Sequence, residues 1–233
     1  MTAADSPEGA AALADAVAEL GGLALAFGRI DRTACYHPDQ VTAESDTDHT
    51  VMLAWVAPSL AALLYPGELD TGLVAQFAVV HDAVEVFAGD TPTLRIDVAG
   101  RAAKAQRERA AAQRWSDQFA TRLPWLPQMI SRYERQDEAE ARFVRAVDKD
   151  MPKIVHFQDA AVGLAREGIS AAELAGIYQR QADDISVYAA EFTALTQLRH
   201  ELAARVVAMV SGRPTTARRT PDRPVSPTGA LVS

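Results

Sequence analysis

Residues 79 to 92 read Val-Val-His-Asp-Ala-Val-Glu-Val-Phe-Ala-Gly-Asp-Thr-Pro and place two adjacent ionisable side chains inside an apolar run. The pair is His81 and Asp82, and such groups are costly to bury unless they are paired or bind a metal. Glu85 lies three residues after Asp82, on the same side of a helix, and adds a third polar group. Gly89 then provides a stop signal for that helix. The stretch therefore predicts a polar site at the end of a helix.

Helix-forming residues dominate the rest of the chain. Ala is abundant, runs of β-branched residues are short, and 13 Gly and 12 Pro are modest numbers for 233 residues, a composition that favours helix. We predict an all-α bundle of about six helices in one domain over residues 1–210, with a disordered Arg-Pro-Thr-rich tail over 211–233. Residues 28–46, rich in turn formers, are predicted to be a loop. The predicted helices cover roughly 7–27, 47–64, 71–88, 98–122, 136–159 and 171–210, the fifth of them interrupted or restarted near Pro152.

Charge and cysteine content limit the environment and the partners of the protein. A net charge of −8 argues against polymeric nucleic acid, because such binding depends on neutralising many phosphates, but a small phosphate ester remains compatible. The single cysteine, Cys35, excludes an internal disulfide and suits a reducing compartment. The N-terminal residues lack the basic start of a secretory signal, and no apolar run approaches the roughly 20 residues that span a bilayer. The expectation is a cytoplasmic protein without a membrane partner.

Four dispersed side chains offer metal-binding atoms. His49 lies in the first turn of the second predicted helix, His81 and Asp82 in the third, and Asp148 in an apolar stretch of the fifth. Two imidazoles and two carboxylates suit one divalent transition metal such as Mn, Co, Zn or Fe. Ligands that project inward from several helices are a common way to build such a site in an α fold.

The order of these residues resembles that of the HD-domain phosphohydrolases, in which a lone His is followed by a His-Asp pair and then by a distant Asp. The closer resemblance is to the bacterial 5′-deoxynucleotidases (YfbR-like), which carry a Glu three residues after the pair and then Gly-Asp and a Pro-Thr turn. Glu85, Gly89, Asp90 and residues 91–93 stand at those positions. The resemblance covers about residues 29–155 and implies an HD-domain helical bundle that hydrolyses the 5′-phosphate of a free nucleotide.

The resemblance also implies roles for individual side chains. The four ligands would bind one metal, and Glu44 and Asp48 stand in the region where the family has an acidic residue ahead of its first metal His. Glu85 would orient or deprotonate the attacking water, and Asp90 would assist proton transfer to the leaving oxygen.

Substrate-binding residues follow from the same resemblance. Arg32 best matches the family's phosphate-binding arginine, with Arg29 second. Thr33 stands where the deoxynucleotidases have a tryptophan that excludes the ribose 2′-hydroxyl, so we expect only a modest preference for deoxynucleotides. The other candidate phosphate-binding cations are Arg95, Lys149 and Lys153.

Two alternatives remain open at the level of the sequence. The same metal framework occurs in deoxynucleoside triphosphate triphosphohydrolases, and a non-catalytic helical module could keep the fold with a structural metal. Retention of Glu85 and Asp90 favours an enzyme, because a structural metal needs neither. A homodimer is expected from the resemblance and from an apolar stripe on the last predicted helix, formed by Ile177, Ile185, Tyr188 and Phe192.

Overall fold

The computed structural model describes residues 6–91 and 94–212, and within them helices account for nearly all regular structure. The predicted all-α bundle is confirmed, with more and shorter helices than expected and one small sheet. The predicted disordered tail lies outside the described residues from residue 213 onward. In chain order the elements are α1 (Pro7–Phe27), β1 (Asp31–Tyr36), β2 (Ala43–Ser45), α2 (Asp46–Leu64), α3 (Thr71–Val80), α4 (Glu85–Ala88), α5 (Val98–Phe119), α6 (Trp125–Arg135), α7 (Ala139–Asp148), α8 (Met151–Gln158), α9 (Val162–Arg166), α10 (Ala171–Ser186) and α11 (Thr193–Ser211).

Side-chain caps explain where the helices begin. The side chain of Ser45 accepts a hydrogen bond from the backbone N–H of Asp48, and the Asp48 carboxylate accepts one in return from the backbone of Ser45. This reciprocal pair satisfies donors that a helix start otherwise leaves unpaired. It fixes the start of α2 just ahead of His49. Asp70, Asp97 and Ser170 cap α3, α5 and α10 with their side chains.

The segment predicted to be a loop contains a β-hairpin instead. Strands β1 and β2 pair antiparallel, with Asp31 opposite Ser45 and Tyr36 opposite Ala43. Turn-forming residues of this segment lie in the connection between β1 and β2. Cys35 on β1 is buried. Burial of strand residues against the helices therefore outweighs the local turn signals.

Two long predicted helices are divided. The fifth is split into α7 and α8 near Pro152, as predicted, and the last is split into α10 and α11 with an unpredicted break over residues 187–192. Ile185 precedes that break and Phe192 is its last residue. They are only 2% and 4% exposed, because the chain turns there to bury both side chains in its own core. The apolar stripe that indicated a dimer is thus used largely inside the chain, and the homodimer stays a prediction without that support.

The core sits around α3, which packs against α2, α6 and α7. Leu53, Phe77, Phe143 and Val144 on these helices are fully buried. Because α2, the end of α3 and the end of α7 surround one volume, polar residues at those places meet at the edge of this core.

Two helical stretches, Pro7–Phe27 and Thr71–Ala88, are long and apolar enough to cross a membrane by length and composition. This finding corrects the expectation that no apolar run approaches that length. The second stretch carries the ionisable residues of the predicted site and contributes to the core, as core helices of soluble proteins do. The first stretch, α1, lies on the surface, and of its residues Ala16 is buried. Length and composition alone are weak evidence of a membrane span.

Gly163 permits a close approach between α9 and the hairpin. A Cβ atom at this position would lie 1.8 Å from the carbonyl oxygen of Ala34, whose own φ is 64°. We expect Gly163→Ala to lower the free energy of unfolding by about 3 kcal/mol, the upper scale of overpacking, despite the better helix propensity of Ala. Urea denaturation measures the effect. Gly21→Ala in α1, whose Cβ would meet nothing within 4 Å, is the matched control, and equal stability of both variants would contradict the expectation.

Candidate active site

The four predicted metal ligands converge at the edge of the core. One ligand atom from each of His49, His81, Asp82 and Asp148 lies within 4.8 Å of all the others. The Nε2 atoms of His49 and His81 lie 2.9 Å and 3.7 Å from Asp148 Oδ1. His81 Nε2 lies 2.9 Å, and His49 Nε2 4.0 Å, from Asp82 Oδ2. Two nitrogens and two oxygens thus surround a volume of the size that one metal ion needs; we call these four residues the ligand quartet.

Helix termini supply this geometry. His49 is in the first turn of α2, His81 follows the last residue of α3, and Asp148 ends α7. Asp82 comes next to His81 in the turn that leads into α4. The sequence prediction of a polar site at a helix end agrees with this placement.

The hydrogen bonding of His81 leaves one ring nitrogen for a cation. Its Nδ1 donates to the carbonyl oxygen of Ala78 at 2.8 Å, since a carbonyl can only accept, so Nε2 is the ring nitrogen that faces the quartet and takes either a second proton or a metal ion. Its Nε2 is buried and makes no aligned hydrogen bond to any described residue; Asp82 Oδ2, at 2.9 Å, pairs with it only when the ring is protonated. A buried nitrogen without a partner is costly. A metal ion fits this donor set because it supplies the missing partner.

His49 is held on both sides by carboxylates. Its Nδ1 lies 3.3 Å from Glu44 Oε1, and its Nε2 lies 2.9 Å from Asp148 Oδ1. Burial disfavours the charged ring, but the hydrogen bonds to Asp148 and Glu44 prevail and raise the pKa of His49 to about 9. A cation on Nε2 would therefore replace a proton, while Glu44 keeps the ring oriented from behind. Asp48, the other acidic residue of this region, serves the helix cap.

The two carboxylates of the quartet are kept ionised by neighbouring cations. Burial alone would raise the pKa of Asp82, yet His81 and Arg32 hold it well below its ordinary value. In the same way burial alone would raise the pKa of Asp148, but Lys149, His49 and His81 together outweigh it and keep that pKa well below its ordinary value. Anionic ligands are thus ready for a divalent ion at neutral pH.

Glu85 stands beside the quartet without belonging to it. Its side chain is buried at the start of α4, and Oε1 accepts a hydrogen bond from Lys104 Nζ at 2.9 Å. The other oxygen, Oε2, is buried and has no hydrogen-bond partner among residues 6–91 and 94–212. Burial first, and then the negative charge of Asp82, raise the pKa of Glu85 to about 9 against the opposing effect of Lys104. A cation bound by Asp82 would weaken that repulsion and favour the ionised form of Glu85.

Arg32 is the cation that reaches the quartet from the hairpin. Its Nη1 donates to Asp82 Oδ2 at 2.9 Å and to Asp46 Oδ1 at 3.1 Å. Asp46 is fully buried, and burial raises its pKa to about 6 although Arg32 opposes the rise. Arg29, the second choice from the sequence, is exposed and does not line the cavity beside the quartet.

A cavity of about 870 Å³ opens onto the quartet. His81, Asp82 and Asp148 form part of its wall, together with the predicted catalytic residue Asp90. Its volume lies at the upper end of the usual range for small-molecule sites. The predicted substrate-binding residues that also line it are Arg32, Thr33, Arg95, Lys149 and Lys153.

Comparison with known proteins agrees with this geometry. A family model described as the HD domain matches residues 29–189, most of the chain. The chain belongs to the HD-domain family. Among solved structures, a predicted metal-dependent phosphohydrolase from Magnetospirillum magnetotacticum superposes with a TM-score of 0.65 at 25% identity, covering 88% of this chain and 95% of that chain. No curated protein matches the sequence. The predicted HD-domain membership is confirmed, whereas the narrower resemblance to 5′-deoxynucleotidases stays a prediction.

Two predicted phosphate-binding cations of this HD-domain protein are engaged elsewhere. Arg95 is exposed and pairs with Glu173 at 2.8 Å. Lys153 is buried, and its Nζ donates to Asp150 Oδ1 at 3.0 Å and to the carbonyl of Lys149 at 2.9 Å. Their charges are already paired with carboxylates of the chain, so the structure adds no support for their phosphate-binding role, which stays a prediction. Lys149 differs, since its Nζ contacts the quartet itself through Asp148.

Sequence reasoning missed Lys104 and Asp46, which contact Glu85 and Arg32. Lys104 is 19 residues from Glu85 in the chain and Asp46 is 14 residues from Arg32. Neither pair has a local spacing that marks it, because each is formed between different elements. The capped start of α2 is the one signal that could have drawn attention to Asp46.

Proposed function

We propose that the protein is a metal-dependent phosphohydrolase that removes the 5′-phosphate of free nucleotides, with deoxynucleotides preferred. The observation that carries this proposal is Glu85, a buried carboxylate beside the ligand quartet but outside it, one oxygen of which has no hydrogen-bond partner in the part of the chain that the structure describes. A purely structural metal site needs no such group. The HD-domain family and the similarity to a predicted metal-dependent phosphohydrolase support the same reaction class.

The residues divide the chemical tasks among them. A divalent ion held by the quartet supplies Lewis-acid polarisation of a phosphoryl oxygen and lowers the pKa of water. Glu85 Oε2 accepts the proton of the attacking water. Arg32 stabilises the negative charge that spreads over the phosphoryl oxygens. Asp90, on the cavity wall, assists proton transfer to the leaving oxygen.

A free nucleotide fits better than a polymer. The cavity of about 870 Å³ is large enough for one nucleotide. The net charge of −8 disfavours a chain of phosphates, whose binding requires many cationic contacts. The substrate class is therefore a small phosphate monoester.

A second candidate is hydrolysis of deoxynucleoside triphosphates. The observation in its favour is that the cavity extends past the quartet to further cationic side chains, which could accommodate a longer phosphate chain. These are Arg145 and Arg180.

Identification of the phosphorus product tests both candidates. The protein, reconstituted with Mn²⁺, Co²⁺ or Mg²⁺, is incubated with the common nucleoside mono- and triphosphates. Release of orthophosphate from 5′-monophosphates is expected. Release of tripolyphosphate from triphosphates would support the second candidate, and no turnover with any nucleotide would reject both.

Thr33 provides a test of sugar selectivity. It is exposed on the cavity wall next to Arg32, where it leaves room for a 2′-hydroxyl. Because an added hydroxyl is rejected strongly only when something blocks it, we expect a modest deoxy preference that Thr33→Trp increases by at least about tenfold. The measurement is kcat/KM for matched ribo- and deoxynucleotides. Thr121→Trp, exposed and outside the cavity wall, is the control. A wild-type preference for ribonucleotides would reject the deoxynucleotidase assignment.

A further inference from the structure

Lys104 lies between two carboxylates on the wall of the cavity. Its Nζ is 2.9 Å from Glu85 Oε1 and 2.9 Å from Glu108 Oε1. Glu108 is one helical turn further along α5, so it restrains the ammonium group from its own helix. The side chain is 23% exposed, which places the ion pair partly out of water, where it is less screened than a surface pair.

The helix that carries Lys104 is fixed against the segment that carries Glu85. Trp115 on α5 donates from Nε1 to the carbonyl of Ala83 at 2.9 Å. Its ring also packs on Phe87, with centroids 5.2 Å apart. Because these contacts join α5 to both sides of Glu85, the distance between Lys104 and the carboxylate is set by packing.

We propose that Lys104 is a positioning residue that acts on the reaction through Glu85. It holds Oε1, so that the partnerless Oε2 is the oxygen presented to the attacking water. Its charge also compensates a carboxylate that is buried close to Asp82. The inference rests on the proposed function, since it assigns Lys104 to the residue that accepts the proton.

A competing role for Lys104 is direct binding of a substrate phosphate. The two roles differ in kinetics, because loss of ground-state binding raises KM, whereas misplacement of a proton acceptor lowers kcat. They differ also in coupling. If Lys104 acts through Glu85, its substitution should have little further effect on kcat in a protein whose Glu85 is already replaced by glutamine.

The kinetic experiment uses the Mn²⁺-loaded protein with 5′-dAMP. Lys104→Met is expected to lower kcat at least about tenfold with KM within about twofold of wild type. Lys104→Arg should regain most of that loss, because it restores the cation. Lys104→Met added to Glu85→Gln should cost no more than about a further twofold. Arg109→Met, which removes a cation from the exposed face of the same helix, is the control.

Urea unfolding of the same four-protein cycle, loaded with Mn²⁺ (wild type, Lys104→Met, Glu85→Gln and the double variant), adds a readout that needs no turnover and keeps the conditions that favour an ionised Glu85. Lys104→Met should lower the unfolding midpoint, and Glu85→Gln should relieve part of that loss, because a buried carboxylate without its cation is costly. Should Lys104→Met fail to fold, Lys104→Gln replaces it.

Three results would overturn the inference: a raised KM with unchanged kcat, multiplicative losses in the double variant, or no coupling in the unfolding cycle. Absence of nucleotide turnover by the wild-type protein would instead reject the proposed function. The unfolding cycle would still decide whether Lys104 and Glu85 are coupled.

Discussion

Replacement of His81 or Asp82 by alanine is expected to abolish both metal binding and phosphohydrolase turnover while helix content is kept. Each side chain contributes one of four ligand atoms that lie within 4.8 Å of one another. Loss of a group that merely supports a metal ligand typically costs about 10- to 100-fold in metal affinity, so loss of a ligand should cost more. Neither side chain belongs to the apolar core, so the helices around it should persist.

Elemental analysis, activity assay and circular dichroism measure the three parts of this expectation on the same samples. His200→Ala, which changes an exposed histidine on α11, is the matched control and should retain metal and activity. Undiminished turnover by wild-type protein from which the metal has been removed, verified by elemental analysis, would refute the requirement for metal.

The helical framework and the quartet were predictable because their signals are local or ordered along the chain. Caps such as Asp70 and Ser170 mark helix starts by a side chain that bonds to a backbone N–H two or three residues later. His81 and Asp82 are adjacent polar groups in an apolar run, and Asp148 repeats that pattern. Ionisable residues are rarely buried, so their presence in apolar segments indicates a site from the sequence alone.

Side-chain contacts between different helices and strands could not be predicted in this way. Lys104 and Asp46 acquire their roles only when α5 meets α4 and when the hairpin meets α2. Conversely, Lys153 lies five residues after Asp148, and that proximity suggested a phosphate contact. Its ammonium turns inward to Asp150, which also accepts from the buried Arg199 at 3.0 Å. The position of Lys153 close to Asp148 in the sequence therefore does not reveal which way its side chain points.

The division of the last predicted helix has a similar cause. Its hydrophobic pattern continues through residues 187–192, so periodicity alone does not reveal the break. The chain turns there because Ile185 and Phe192 both enter the core. The free energy that decides where this helix breaks comes from tertiary burial of these two side chains, which a helical hydrophobic pattern does not show.

Glu85→Gln is expected to bind metal and nucleotide as the wild-type protein does and to lose at least about a hundredfold in kcat, the usual scale of general acid–base catalysis. The substitution keeps the shape of the side chain but removes its ability to accept a proton. Metal content should be unchanged, because Glu85 is outside the quartet of His49, His81, Asp82 and Asp148. The buried pair with Lys104 loses its charge, so a small change in stability is expected alongside the kinetic effect.

Steady-state kinetics and elemental analysis separate the possible roles of this carboxylate. Glu68→Gln, which changes an exposed carboxylate, is the control and should leave both quantities unaltered. Loss of bound metal in Glu85→Gln would make the carboxylate a ligand, and near wild-type kcat would make it structural. Normal metal content with a strongly reduced kcat is the result expected if Glu85 acts on the attacking water. It would also exclude the non-catalytic module, since a protein that only keeps a structural metal has no turnover for Glu85 to support.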